Sequence, residues 1–505
     1  MVCTVVSPAV LGLQTATVQV EVDLRAGLPA FAVVGLPDAA VQEARERVRS
    51  GIVNQAYAVP ARRIVANLAP ADLRKAGPQY DLPLALAILA ASGQASPAGI
   101  TGVGALGELA LDGALRPVPG VLAMAEHAAR SGWRRLVVPA SNAPEAALGA
   151  GGCEVLGART LRHAVDLLDG RAQPEPTPVP ELPADEPGAP DLADVRGQVP
   201  ARRALEVAAA GGHSVLMIGP PGGGKTMLAR RLPGILPPLT LEEAITVTRI
   251  HSVAGLLDPG RPLVTRRPFR APHHSISVAG LVGGGRVPRP GEISLASLGV
   301  LFLDEVCAFA PSVLDALRQP LETGVVDVVR ASGAARFPAR PLLICAGNPC
   351  PCGFADDPVG RCTCPPGRAE AYRARLSGPV ADRLDIRIDV PRLSRDELLG
   401  GGRAEDSVAV RARVAAAVER RRARGQREPN AHLAPAAVRA TAALDGPARD
   451  LLGRAVDRLG LTARGVDRVL RVARTVADLA AADRVGEEHL LEAVGLRARG
   501  TAETR

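Results

Sequence analysis

Gly219-Pro-Pro-Gly-Gly-Gly-Lys225-Thr226 follows the short apolar run Ser214-Val-Leu-Met-Ile218 and precedes Met227-Leu-Ala-Arg-Arg-Leu232. That order predicts a strand, a glycine loop and a helix. Backbone N–H groups can wrap an oxyanion only where side chains are absent, and the first turn of a helix adds unpaired donors and the positive end of its dipole. Gly219, Gly222 and Gly224 supply that clearance. Lys225 then reaches the β- and γ-phosphates of ATP, and Thr226 a magnesium ion. A glycine-rich turn without a ligand accounts for the glycines but not for Lys-Thr at the mouth of a helix.

About eighty residues further on, Gly299-Val-Leu-Phe-Leu-Asp304-Glu305 reads as an apolar strand ending in two carboxylates. Asp304 binds magnesium through water and Glu305 polarises the attacking water, provided this strand lies beside the phosphate-loop strand. A third apolar run, Leu342-Leu-Ile-Cys-Ala346, ends near Asn348, which is placed to orient the same water. Taken alone, Asn348 reads as a turn residue. Cys350-Pro-Cys352 and Cys362-Thr-Cys364 enclose nine residues, and four thiolates in two close pairs suit tetrahedral, structural zinc, although each pair is spaced more tightly than the usual C-x2-4-C and Cys-x-Cys also occurs in redox loops. The remaining four of the eight cysteines are scattered.

A chain of 505 residues exceeds one hydrophobic core and implies about three domains. Aromatic residues make up only 2 % of it, so packing rests on Ala, Val and Leu, and any nucleic-acid contact rests on charge more than on base stacking. The formal charge of +8 and a pI near 9.4 suit a polyanionic partner. No apolar run approaches a membrane span and the amino terminus lacks a signal pattern, so a cytoplasmic location with no membrane partner is expected.

Residues 1 to about 170 alternate strand-like runs, such as Ala16–Val22 and Ala30–Val34, with helical patterns at 38–54 and 82–91. From Gly104-Ala-Leu-Gly-Glu-Leu-Ala-Leu-Asp-Gly-Ala-Leu-Arg-Pro-Val-Pro-Gly120 through Arg135-Leu-Val-Val-Pro139 to Asn142, the text resembles the proteolytic domain of the Lon protease. That family's catalytic serine aligns with Gln79 and its lysine with Leu122. An amide and an alkyl group cannot perform Ser-Lys chemistry, so a Lon-like fold without peptidase activity is expected. Residues 173–190 hold seven prolines, four acidic residues and no basic ones, the composition of a stiff spacer. The stretch from Asp191 to Ala210 reads as a helix leading into the phosphate-loop strand. Beyond Arg392 helical patterns dominate, and the arginine-rich helix from Val408 to Arg424 reads as a solvated face.

Arg267-Pro-Phe-Arg-Ala-Pro-His-His274, Pro290-Gly-Glu-Ile-Ser294, Gly299 to Glu305, Ala346-Gly-Asn-Pro-Cys-Pro-Cys352 and Ser377-Gly-Pro-Val-Ala-Asp-Arg383 together resemble the magnesium-chelatase-like AAA+ ATPases, specifically the YifB/ComM family. The resemblance implies an α/β AAA+ P-loop module with a helical lid, preceded by the Lon-like α/β domain. Its divisions would fall at 1–172, 173–190, 191–390 and 391–505. It further implies a homohexameric ring, ATP and magnesium as ligands, and DNA helicase or translocase activity on branched or recombining DNA, as in natural transformation. Arg383 matches the family's arginine finger, which stabilises charge on a neighbour's γ-phosphate. By itself it reads as a surface arginine paired with Asp382 or Asp385. Arg464 matches the second sensor, touching the γ-phosphate from the lid, with Arg468 one turn later as its competitor. The segment from Arg266 to Gly285, with Arg266, Arg267, Arg270, His273 and His274, matches a pore-facing insert, and Val325–Arg330 with Arg336-Phe337 reads as a second hairpin able to hold phosphates. Both histidines read equally well as structural loop residues. Two other classes stay open: a metal-chelatase motor subunit, and an ATP-driven protein remodeller or scaffold.

Overall fold

Alternation of apolar and polar residues along Gln14–Arg25 puts Val18, Val20 and Val22 on one face, and all three are fully buried. This strand pairs antiparallel with Val2–Leu11 through a tight turn at Gly12-Leu13. In the computed structural model, which describes residues 2–100, 102–183, 190–330, 333–355, 361–374, 383–399 and 404–498, the hairpin is the centre of a seven-stranded mixed sheet. The strand order is Ala30–Val34, Arg63–Ala69, Gln14–Arg25, Val2–Leu11, Val103–Ala105, Arg135–Pro139, Glu154–Ala158. The helix Asp81–Ala91 is apolar all round, and all eleven of its residues are buried against this sheet. The helix Ala39–Asn54 starts where Asp38 accepts the Val41 N–H at 2.9 Å.

Gln79 is buried and donates its amide to the Ala76 carbonyl at 2.8 Å, while Leu122 is fully buried. Next to Gln79, the buried Asp81 takes two bonds from Arg47, at 2.7 and 3.1 Å, and one from the Leu109 N–H at 3.2 Å. Burial nonetheless pushes the Asp81 carboxyl up to about 6 from an ordinary 3.8, because desolvation outweighs the Arg47 bonds. Its folded-state value lies above its unfolded one, so the stability it contributes is greatest at low pH and is lost as pH rises through about 6. Arg47→Ala leaves a lone buried carboxylate and is expected to cost about 3–5 kcal/mol at neutral pH. The deficit should shrink at pH 5, where the carboxyl takes up its proton. Urea unfolding of variant and parent at both pH values checks this; a pH-independent deficit would count against it.

The second sheet is wholly parallel, in the order Phe269–Arg270, Val300–Leu303, Leu342–Gly347, Val215–Ile218, Ile386–Asp389. Near-continuous Val, Ile and Leu runs suit strands covered on both faces. The helices Val199–Gly211 and Lys225–Ile235 and the carboxy-terminal helices Ser407–Ala423 and Ala463–Leu479 cover one side. The predicted helix from Asp191 begins only at Val199, because a short 3-10 turn occupies Leu192–Asp194 and Pro200 lies in the helix's first turn. Residues 173–183 carry neither helix nor strand, and 184–189 of the proline-rich segment lie outside the described residues.

The arginine-rich helix keeps most of its arginines at the solvated face, and several of them also bond to neighbouring elements. Arg413 pairs with Glu206 and Glu405 at 2.5 Å each, Arg420 donates to the Asp478 carbonyl at 3.0 Å, and Arg424 reaches the Asp478 carboxylate at 2.6 Å. Arg421 is itself buried. Arg413, Arg420 and Arg424 fasten the helix to its neighbours, and two of the carboxylates that receive them, Glu206 and Asp478, come from distant parts of the chain.

Candidate active site

The loop after Val215–Ile218 is shaped by two different demands for glycine. Gly222 and Gly224 have φ of 79° and 90°, a left-handed backbone with no atoms near the missing Cβ. Gly219 instead admits a neighbour: a Cβ there would stand 2.1 Å from the Val390 carbonyl oxygen at the end of the adjacent strand. The helix Lys225–Ile235 starts at Gly224 with no side-chain cap, which leaves its first N–H groups facing the loop. Gln198 is buried and clamps the loop from behind, donating to the carbonyls of Gly223 at 3.2 Å and Pro391 at 2.7 Å. Sequence reading missed Gln198, because a lone glutamine before a helix carries no local mark of a partner almost two hundred residues away.

Lys225 is 8 % exposed and donates to the carbonyls of Gly219 at 2.6 Å and Pro220 at 3.0 Å, and to Asn348 Oδ1 at 3.1 Å. Burial lowers its pKa from 10.5, opposed by the nearby carboxylates of Asp304 and Glu305. The Thr226 hydroxyl donates to Asp304 Oδ2 at 2.7 Å, and the other Asp304 oxygen accepts the Glu305 N–H at 2.9 Å. Glu305 leaves the strand with φ of 51°, which turns its exposed side chain out at the sheet's carboxyl edge. Lys225, Thr226, Asp304, Glu305 and Asn348 therefore gather at one edge. The route differs from that expected: the Asp304 strand does not lie beside the phosphate-loop strand, since Leu342–Gly347 runs between them. Asp304 still reaches Thr226 because the helix after the loop crosses over the intervening strand. Hydroxyl and carboxylate oxygens side by side are a fitting donor set for magnesium.

Arg383 and Arg464 lie elsewhere. Both line a cleft of about 520 Å³ with Arg340, Arg468, Ser214 and Asp385. Ser214 and Asp385 directly precede their strands and Arg340 stands two residues before its own, so this cleft is at the amino edge of the parallel sheet. The phosphate loop is at the opposite edge, roughly 13 Å away for four residues at 3.3 Å each. Arg464 therefore does not approach the phosphate loop of its own chain, because Ala463–Leu479 packs its first turn toward the wrong edge for that contact. Arg468 lines the same cleft. Arg383 is ion-paired with Glu322, and Asp382, one of the partners its sequence suggests, lies outside the described residues. Residues 377–382 of its motif lie outside the described residues.

The two basic inserts are less free than their sequences suggest. Arg267 is buried, bonded to the carbonyls of Pro237 and Leu298 at 2.6 Å each and to Glu243 at 3.1 Å, and desolvation lowers its pKa. Arg270 is bidentate to Glu292 at 2.6 and 2.7 Å, and Arg336 pairs with Asp327 at 2.7 Å. His273 bonds Ser275 at 2.8 Å and stacks on His274 with ring centres 4.0 Å apart. The hairpin Val325–Arg330 and Gly333–Pro338 forms as expected, but its inner face rests on the amino-terminal turn. A Cβ on Gly12 would meet Ala335 Cβ at 2.3 Å.

The four clustered cysteines converge. Their sulfurs lie within 4.8 Å of one another, with Cys350 to Cys352 at 3.3 Å, Cys352 to Cys362 at 3.6 Å and Cys350 to Cys362 at 3.9 Å, and Cys364 completes the group. A metal–sulfur distance of about 2.3 Å gives a tetrahedron edge of about 3.8 Å, so the group can hold a metal ion. Among the described residues, no helix is long and apolar enough to cross a membrane.

Three family models match most of the chain. That of magnesium chelatase, subunit ChlI, matches residues 191–398, a second ChlI model matches 20–142, and the ChlI carboxy-terminal model matches 404–497. A protein of Salmonella typhimurium named YifB is 44 % identical over 493 residues, covering 97 % of this chain and 96 % of that one. YifB of Escherichia coli is 43 % identical over 499 residues, covering 97 % of this chain and 96 % of that one. The competence protein ComM of Haemophilus influenzae is 43 % identical over 499 residues, covering 98 % and 97 %.

Proposed function

The chain belongs to the YifB/ComM family of magnesium-chelatase-like AAA+ proteins, and from that premise we propose that it is an ATP-driven motor acting on DNA. The observation that carries the ATPase reading is the convergence of Lys225, Thr226, Asp304, Glu305 and Asn348 at one sheet edge. Lys225 exchanges its carbonyl partners for the β- and γ-phosphates, which relieves the burial of its charge. Thr226 and Asp304 would hold the magnesium ion, which when bound neutralises charge on the phosphate oxygens. Glu305 takes a proton from the attacking water while Asn348 orients it. Arg383, Arg464 and Arg468 share the opposite edge of the sheet, and in a ring that edge meets the next subunit's phosphate loop. Each site is thus shared by two protomers, which supports a closed homohexamer.

In this reading residues 1–172 form the Lon-like unit, 173–190 the spacer, 191–390 the ATPase core and 391–505 the lid. The four thiolates hold one structural zinc, and the protein works in the cytoplasm. DNA as the polymer rests on the net charge of +8, on the family resemblance and on the naming of one relative as a competence protein. Because Arg267, Arg270 and Arg336 are already paired, phosphate contacts fall to exposed cations such as Arg289 on the strand Arg289–Pro290. Forked or four-way DNA is expected to raise the ATPase rate several-fold, with protoporphyrin and an unfolded protein as comparison arms. Stimulation by porphyrin alone would select the chelatase reading, stimulation by unfolded protein alone a remodeller, and indifference to DNA would end the DNA reading.

A further inference from the structure

The cysteine loop is built into the wall of the nucleotide site. Cys350 comes two residues after Asn348, whose Oδ1 accepts from Lys225 at 3.1 Å. Gly353, between the two cysteine pairs, lies so close to the phosphate loop that a Cβ on it would stand 2.5 Å from Pro221 Cδ. Its N–H donates to the Cys350 carbonyl at 2.9 Å, which ties this contact to the first ligand of the cluster. The next residue, Phe354, is covered by the guanidinium groups of Arg361 and Arg392, 5.0 and 5.3 Å from the ring centre. Arg392 follows Val390 and Pro391, the pair that crowds Gly219 and accepts from Gln198. The phosphate loop is therefore held on one side by Val390-Pro391 and on the other by the cysteine loop, and Phe354 joins the two.

We propose that metal occupancy of the Cys350, Cys352, Cys362 and Cys364 cluster sets the affinity of the phosphate loop for nucleotide, by holding Gly353 against Pro221 and Asn348 against Lys225. This rests on the zinc reading above. Four sulfurs within 4.8 Å of one another are spaced to share one cation, whose bonds would hold both cysteine pairs together. With the ion removed nothing holds the four sulfurs at this spacing, and any spread of the cluster moves Gly353, the residue directly after Cys352, relative to Pro221. The ion acts here only through position: a closed set of four protein ligands offers no open coordination site for substrate.

The test uses the full chain, purified without chelator. Elemental analysis should find one zinc per chain, and cobalt substitution should give sulfur-to-cobalt charge-transfer absorption. Releasing the zinc with a mercurial reagent, followed by thiol reversal, should weaken binding of a fluorescent ATP analogue by about tenfold or more, and added zinc should restore it. Cys362→Ser with Cys364→Ser should give the same loss, since neither touches the phosphate loop. A chain that holds no metal and gives no thiolate–cobalt band overturns the zinc reading and this proposal together. A chain that holds and releases zinc with unchanged circular dichroism and unchanged nucleotide affinity overturns the coupling alone. Should stripping unfold the chain, Gly353→Ala in the zinc-loaded protein decides: weaker nucleotide binding at full zinc content supports the coupling, and unaltered binding overturns it.

Discussion

Equal mixtures of two inactive variants, Lys225→Ala and Arg383→Ala, are expected to hydrolyse ATP. Lys225→Ala removes the charge that meets the β- and γ-phosphates, so its own site stays empty. Arg383→Ala binds nucleotide nearly as the parent does, but its hydrolysis should fall by about 10³-fold or more, the effect of losing a guanidinium from the transition state. Where a Lys225→Ala protomer presents its intact Arg383 to the loaded site of its neighbour, that one interface is complete. The placement of Arg464 makes the same experiment sharper. Since Arg464 shares the amino-edge cleft with Arg383, Arg464→Ala should also be rescued by Lys225→Ala. A second sensor acting within its own chain would give no rescue, because one partner would lack nucleotide and the other its arginine. Rescue of Arg383→Ala without rescue of Arg464→Ala would show that the lid swings across the sheet on assembly.

Glu305→Gln should reduce turnover by about 10²–10⁴-fold while leaving ATP bound. The amide keeps the shape of the carboxylate but cannot take a proton from water. Its strand and the left-handed turn at φ of 51° are set by Val300–Leu303 and their pairing, not by the carboxylate, so folding should be unaffected. With ATP bound and unspent, the variant is expected to accumulate as a ring, visible by light scattering at saturating nucleotide. If Glu305→Gln turns over normally, the general base lies elsewhere. If it loses nucleotide as well, the residue helps to hold magnesium beside Asp304. Arg383 is paired with Glu322 in the single chain, so on the proposed reading assembly would exchange that carboxylate for the neighbour's γ-phosphate.

Much of the fold could be read from local pattern. The glycine loop between an apolar run and a helix, the two strands ending in Asp304-Glu305 and near Asn348, and the hairpin from Val325 each announce themselves over a few residues. The helical carboxy-terminal part beyond Arg392 was equally plain from its periodicity. Less was legible wherever charges were concerned. Arg267, Arg270 and Arg336 look like a phosphate-binding set in a string of residues, yet each is satisfied by a carboxylate that approaches from another element. A desolvated guanidinium such as that of Arg267 needs a partner, and no local pattern says whether that partner belongs to the same chain or to a ligand.

The sequence alone determined the elements, their order and the chemical kinds of group at their ends, because helix and strand periodicity and turn chemistry are short-range properties. Only the tertiary structure decided that Leu342–Gly347 stands between the Asp304 strand and the phosphate loop, that Gln198 braces that loop, and that Arg464 joins Arg383 at the far edge of the sheet. Strand order and the seating of the lid are settled by burying apolar faces that lie hundreds of residues apart. That long-range packing fixes which polar groups meet.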